Sequence, residues 1–149
     1  MCIRDRLTIV LTLAAFLTYW RYPAQPPWMA GALPPVERIV PEIWGRLGIG
    51  TVQSAYANGH LVNPVAAMPS LHAAYPFMLL LFFWSAGRAV RIGLGLYTLA
   101  MGFALVYGGE HFVTDILAGW AMAGATYALI TVAPALARRA GLRLSLIHI

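Results

Sequence analysis

Residues 92–109 pass without one acidic, basic or imidazole side chain. Few structures can hold such a run, and the simplest is a helix crossing a bilayer, which takes about 20 apolar residues. Three further stretches point the same way. Residues 112–137 carry a single charge, Asp115, inside the first turn, and are long enough to cross with tilt. Residues 70–87 hold His72 as their only charged or imidazole side chain, and residues 7–21 are uncharged as far as Arg21. The composition agrees, with 60% of residues hydrophobic, 10% charged and a mean hydropathy of +0.72, against about a quarter charged in soluble domains. The expectation is an all-α integral membrane protein, a polytopic helical bundle forming one membrane domain over residues 7–143.

Between residues 22 and 68 the pattern changes. Most of the prolines fall there, together with Glu37, Arg38, Glu42 and Arg46, which marks an extramembrane loop. Within it, residues 33–47 place Val36, Ile39, Val40, Ile43, Trp44 and Leu47 at helical spacing, with Pro34 and Pro35 near the start. This predicts a short amphipathic helix at the interface, with a plain surface loop as the alternative.

The formal charge of +5 rests on ten arginines, no lysine and five acids. The arginines sit at the ends of apolar runs, where they orient a membrane protein and snorkel toward headgroups, so nucleic acid is excluded as a partner. Arg88 and Arg91 share one side with Arg138, Arg139 and Arg143, and the positive-inside rule makes that side cytoplasmic. Arg21, Arg38 and Arg46 then lie outside, facing either headgroups or an anionic ligand. Cys2 is the one cysteine, so no internal disulfide is available. Gly119 with Ala123, and Gly93, Gly95 and Gly102, supply small faces for helix contact in lipid. The two ends, MCIRDR at 1–6 and LSLIHI at 144–149, read as translated adapter sequence, which predicts a piece of a longer membrane protein.

Ionisable groups at the edge of a span are costly, and are functional candidates for that reason. His111 and Asp115, four apart at the start of the last span, share a face, so the carboxylate is placed to accept a hydrogen bond from the imidazole. A carboxylate there sets the ring's tautomer and stabilises an imidazolium, as in a catalytic triad. Ser70 and His72 open the second span just after Pro69, where free backbone N–H groups and the positive helix end suit a phosphate. The topology puts all four residues at one depth near the outer surface. Singly, each has a plain alternative: an interfacial histidine packs, and Ser70 caps a helix.

The segments NPVAAMPSLHAA (63–74) and GGEHFVTDILAG (108–119) resemble the second and third signature motifs of the type 2 phosphatidic acid phosphatase superfamily. YPAQPPWMAG (22–31) is similar to the Pro-Pro-Trp element of its inositol phosphorylceramide synthase-like branch. The resemblance covers about residues 22–137 and implies four visible spans of a six-span domain in a bacterial cytoplasmic membrane, with the active site facing outward. It implies metal-independent phosphoryl transfer with no cofactor. His111 would attack phosphorus, Asp115 would orient and activate it, Ser70 and nearby N–H groups would hold phosphate oxygens, and His72 would protonate the departing alcohol. Water as acceptor makes a phosphatase, and an alcohol makes a phosphotransferase. The implied partners are a phospholipid or polyprenyl phosphate substrate and the lipid bilayer, with homo-oligomerisation left open.

Three departures accompany the resemblance. The superfamily's arginine six residues before the nucleophile is here Leu105. The first motif's lysine and arginine lack their usual pattern, leaving Arg21 and Arg38 as substitutes in substrate binding. Glu110, beside His111, would repel a phosphate that it faced, so it is expected to point away or to contact a polar acceptor. Other readings stay open on the residues alone: a serine hydrolase using Ser70 with His111 or His72, though without a Gly-x-Ser-x-Gly setting; a metal held by His72, His111 and Asp115; and a non-catalytic polytopic protein in which the His–Asp pair only packs.

Overall fold

A computed structural model describes residues 2–31, 36–58 and 63–135. Among them the regular elements are all helical: α1 (Ile3–Arg21), α2 (Val40–Arg46), α3 (Gly50–Ala57), α4 (Leu71–Phe82), α5 (Arg88–Tyr107) and α6 (Val113–Tyr127), the last continuing through a widened stretch at Ala128–Val132 to Ala135. Two helices among the described residues, Arg88–Tyr107 and Val113–Ala135, are long and apolar enough to cross a membrane.

Helix α4 is shorter than the expected span over 70–87. It stops at Phe82, a 3-10 turn follows at Trp84–Ala86, and Gly87 at φ +119° reverses the chain into α5. Only glycine adopts that φ readily, so the reversal begins before the arginines. Arg88 and Arg91 consequently start α5 where a connecting loop was expected. Twelve residues rise about 18 Å, short of the hydrocarbon thickness of about 30 Å.

The loop also departs from expectation. Val40–Arg46 is helical, inside the predicted 33–47, and Pro41 near its start supplies a ready-made φ. A second short helix, Gly50–Ala57, packs against it where none was expected. The start of the predicted amphipathic helix at 33–35, the fourth span beyond 135, Arg138, Arg139, Arg143 and the 144–149 end lie outside the described residues.

α4 packs on both α5 and α6, and α1 lies against α6 and α4. The core joins Leu7 and Leu11 of α1, Ala74 and Met78 of α4, and Ala123 of α6. At the α4–α6 crossing a Cβ on Gly119 would collide with the carbonyl oxygen of Ser70, so this close approach requires glycine. Gly102 meets Ile116 and Trp120, whereas Gly93 and Gly95 face open space. Along α5 only 11% of the apolar window is buried, leaving Ile92, Leu96, Leu99 and Phe103 turned outward, a surface suited to lipid.

Candidate active site

One end of the bundle gathers the last turns of α1, the first turn of α4, the α5–α6 turn and two loop segments. The loops are stitched by Ala24 N–H to Val65 O at 3.2 Å and Ala67 N–H to Ala24 O at 3.1 Å. Tyr19 ties α1 to the same place by donating its hydroxyl to Pro69 O at 2.6 Å. Together they enclose a cavity of about 440 Å³ whose wall includes Phe16, Tyr19, Arg38, Leu71, His72, Leu105, Glu110 and His111.

The α5–α6 turn presents His111. Backbone N–H groups of Glu110 and His111 both donate to Leu105 O, at 3.0 and 3.2 Å. Gly109 has φ +75°, and a Cβ there would lie 2.9 Å from Glu37 O, so the turn and the loop meet through glycine. Phe112 is the N-cap of α6, so His111 precedes the helix. The i, i+4 helical geometry expected for His111 and Asp115 therefore does not apply. Asp115 Oδ2 instead accepts the Phe112 N–H at 2.8 Å and stands 3.5 Å from His111 Nδ1. At that separation the contact is an ion pair only when the ring is protonated, and Nδ1 is buried without a hydrogen-bond partner.

His111 is 8% exposed. Burial pushes its imidazole below the usual 6.5, Asp115's negative charge works against this, and His72 adds to the lowering. In a neutral ring whose Nδ1–H faces a carboxylate, the lone pair lies on Nε2. His72 is exposed and faces it, with ring centroids 6.1 Å apart.

Ser70 lies beneath rather than in the cavity wall. It is fully buried, its Oγ accepts the Ala73 N–H at 3.4 Å as the cap of α4, and its own N–H donates to Asp115 O at 3.0 Å. Ser70 thus links the helix start carrying His72 to the first turn carrying Asp115. Arg21 is exposed at the end of α1 and is not among the cavity-wall residues. Arg38 does reach the cavity. Its Nε and a terminal nitrogen donate to the two Glu110 carboxylate oxygens at 2.7 and 3.3 Å, and its other terminal nitrogen donates to Tyr56 O at 2.9 Å. The guanidinium lies 4.7 Å from the Trp28 ring centre and 5.0 Å from that of Tyr56.

A profile of the PAP2 superfamily matches residues 5–129, which include every residue of this site. The chain belongs to the PAP2 superfamily. Its members are generally phosphoric ester hydrolases, a phosphatase-type function. Comparison with curated proteins and with solved structures finds no match.

As a member of the PAP2 superfamily the chain has an apolar side chain, Leu105, on the cavity wall where the resemblance called for an arginine. Arg38 brings a guanidinium to the same cavity from a different segment. Tyr19 and Tyr56 were not singled out from the sequence, and Trp28 was noticed only as the tryptophan of the Pro-Pro-Trp element, with no contact to Arg38 expected. The serine-hydrolase alternative meets a hydroxyl that is wholly buried and occupied by the α4 cap. Among the described residues no group of three His, Cys, Asp or Glu side chains is placed to hold a metal ion.

Proposed function

We propose that this protein is a membrane lipid phosphatase or phosphotransferase acting through a phosphohistidine on His111. The observation that carries the reading is the pair of imidazoles, His111 buried with Asp115 behind it and His72 exposed opposite, meeting at one cavity. Both rings are close enough to reach one phosphoryl group. In the first step Nε2 of neutral His111 forms a bond to phosphorus as the bond from phosphorus to the alcohol oxygen breaks, and protonated His72 gives its proton to that oxygen. Asp115 stabilises the positive charge that develops on His111. In the second step His72 takes a proton from water or an acceptor alcohol, whose oxygen displaces His111 from phosphorus. Such division of a displacement into two is the ordinary gain of covalent catalysis.

The substrate on this reading is a phospholipid or polyprenyl phosphate, because Phe16, Val40, Leu71 and Leu105 give the cavity apolar walls beside its polar groups. The proposal includes a polytopic bundle of four visible spans from a six-span domain, a bacterial cytoplasmic membrane, an outward-facing site and kinship with the inositol phosphorylceramide synthase-like branch. The arginines at the start of α5 support that orientation.

The test is phosphate release from a panel of lipid phosphates in detergent with EDTA, comparing wild type with His111→Ala. EDTA-resistant turnover that vanishes in the variant, with an acid-labile phosphoryl adduct on the wild type alone, is the expected result. Turnover that survives His111→Ala would overturn the proposal.

A further inference from the structure

The cavity's charges do not favour a highly charged anion. Apart from the imidazoles of His72 and His111, Arg38 and Glu110 are the charged residues among its described wall residues, and they neutralise each other through the two-point contact. Asp115 adds a buried negative group behind His111. Arg38 is also fixed in place: Trp28 and Tyr56 lie against its guanidinium, Tyr56 O takes a third donor, and its side chain is 10% exposed. A planar cation held by two aromatic rings and hydrogen-bonded along its edge does not swing freely toward a ligand. Its segment is anchored too, through Ile39 N–H to Gly108 O at 3.4 Å and the tight approach at Gly109. The carboxylate partner is therefore the variable that decides how much positive charge an incoming phosphate meets.

We infer that Glu110 is a specificity-determining residue, which holds Arg38 in place while cancelling its charge, so that the cavity favours phosphate esters of one negative charge over those of two. This rests on reading the cavity as a phosphate-ester site. A phosphodiester brings one charge and a phosphomonoester nearly two at neutral pH. Electrostatic repulsion from Glu110 acts on the second about twice as strongly in free energy, so its effect on affinity is squared. Glu110 touches Arg38 rather than the reacting atoms, which makes it a positioning and charge-setting residue.

The experiment is a ³¹P NMR binding titration of the full chain in detergent at pH 8, roughly one unit above the second ionisation of free phosphate. Inorganic phosphate serves as the dianion and dimethyl phosphate as the monoanion. Wild type should bind dimethyl phosphate at least as tightly as inorganic phosphate, a comparison that needs no variant. In Glu110→Gln, which keeps a hydrogen-bond acceptor for Arg38, affinity should rise about threefold for dimethyl phosphate and about tenfold for inorganic phosphate. Adding Arg38→Met should abolish both gains. Equal gains for the two probes, no gain, or a gain that survives Arg38→Met would overturn the inference, as would wild type preferring the dianion. Since binding is read without turnover, loss of the phosphohistidine reading through an active His111→Ala variant would show separately from failure here.

Discussion

Asp115 Oδ2 holds the backbone N–H of Phe112 at 2.8 Å and stands 3.5 Å from Nδ1 of His111. One oxygen thus both caps α6 and faces the imidazole, so the first turn of the helix and the orientation of the histidine depend on the same atom. Apo contacts of this kind are commonly long and shorten when substrate binds. Asp115→Asn keeps an acceptor for the cap but removes the charge, and should lower the single-turnover rate about 10²–10⁴-fold with little change in thermal midpoint. Asp115→Ala should lose the rate and about 1 kcal/mol of stability besides. An Asn variant with wild-type rate would leave the carboxylate as a cap alone.

The buried His111 imidazole titrates below 6.5, which has two consequences. Nucleophilic attack needs the neutral ring, so the acid limb of kcat/KM assigned to His111 should fall below pH 6.5. For stability, the unfolded chain accepts a proton near 6.5 that the folded chain refuses. Stability is therefore fully present above that pH and is lost as pH falls from 6.5 toward the folded value. Thermal midpoints taken from about pH 8 to about pH 5 should decline on the acid side, and less steeply in His111→Gln. Equal slopes in the two proteins would place the acid sensitivity elsewhere.

If His72 delivers the proton to the departing alcohol, its loss matters most when that alcohol leaves badly. His72→Ala should slow the first-turnover release of alcohol from an alkyl phosphate about 10²–10⁴-fold, while the first-turnover burst of nitrophenol from a nitrophenyl phosphate ester, whose leaving group needs no proton, should keep close to the wild-type rate; the later hydrolysis of the phosphohistidine should slow for both. A uniform loss of the first-turnover rate on both substrates would point to binding or positioning.

Gly119 packs against the Ser70 carbonyl, whereas Gly93 faces open space. Gly119→Ala should force α4 and α6 apart at a cost of about 1–3 kcal/mol, and because Ser70 and Asp115 sit at that crossing, activity should fall with stability. Gly93→Ala, gaining helix propensity with nothing to strike, should be neutral or stabilising by up to about 1 kcal/mol. Melting curves of the two variants in one detergent make the comparison.

The proposed orientation places Asn63 and Arg88 on opposite sides of the membrane. In a Cys2→Ser background, Asn63→Cys should react with an impermeant maleimide in sealed cells, and Arg88→Cys only after permeabilisation. The reverse pattern would turn the site to the cytoplasm.

Much of the helical character follows from local facts. Long apolar runs whose backbone must satisfy its own hydrogen bonds become helices, and α5 and α6 are legible that way because each is long and nearly free of charge. His72, His111 and Asp115 were visible as candidates because polar groups at the edge of apolar runs stand out, and phosphate chemistry was what the family resemblance of the segments around them implied. Where α4 stops was not legible, since no charged residue interrupts residues 73–87, and the reversal into α5 that follows depends on a positive φ at Gly87. Nor was the place of Ser70, whose hydroxyl caps its own helix while its N–H reaches Asp115. The pairing of Arg38 with Glu110 joins residues 72 positions apart, a contact that no local pattern encodes. Local sequence thus determined that the long apolar segments are helical and which side chains stand out as candidates for chemistry. Tertiary packing decided which of those side chains share a cavity, because that depends on helix crossings and loop anchors set by close contacts between distant residues.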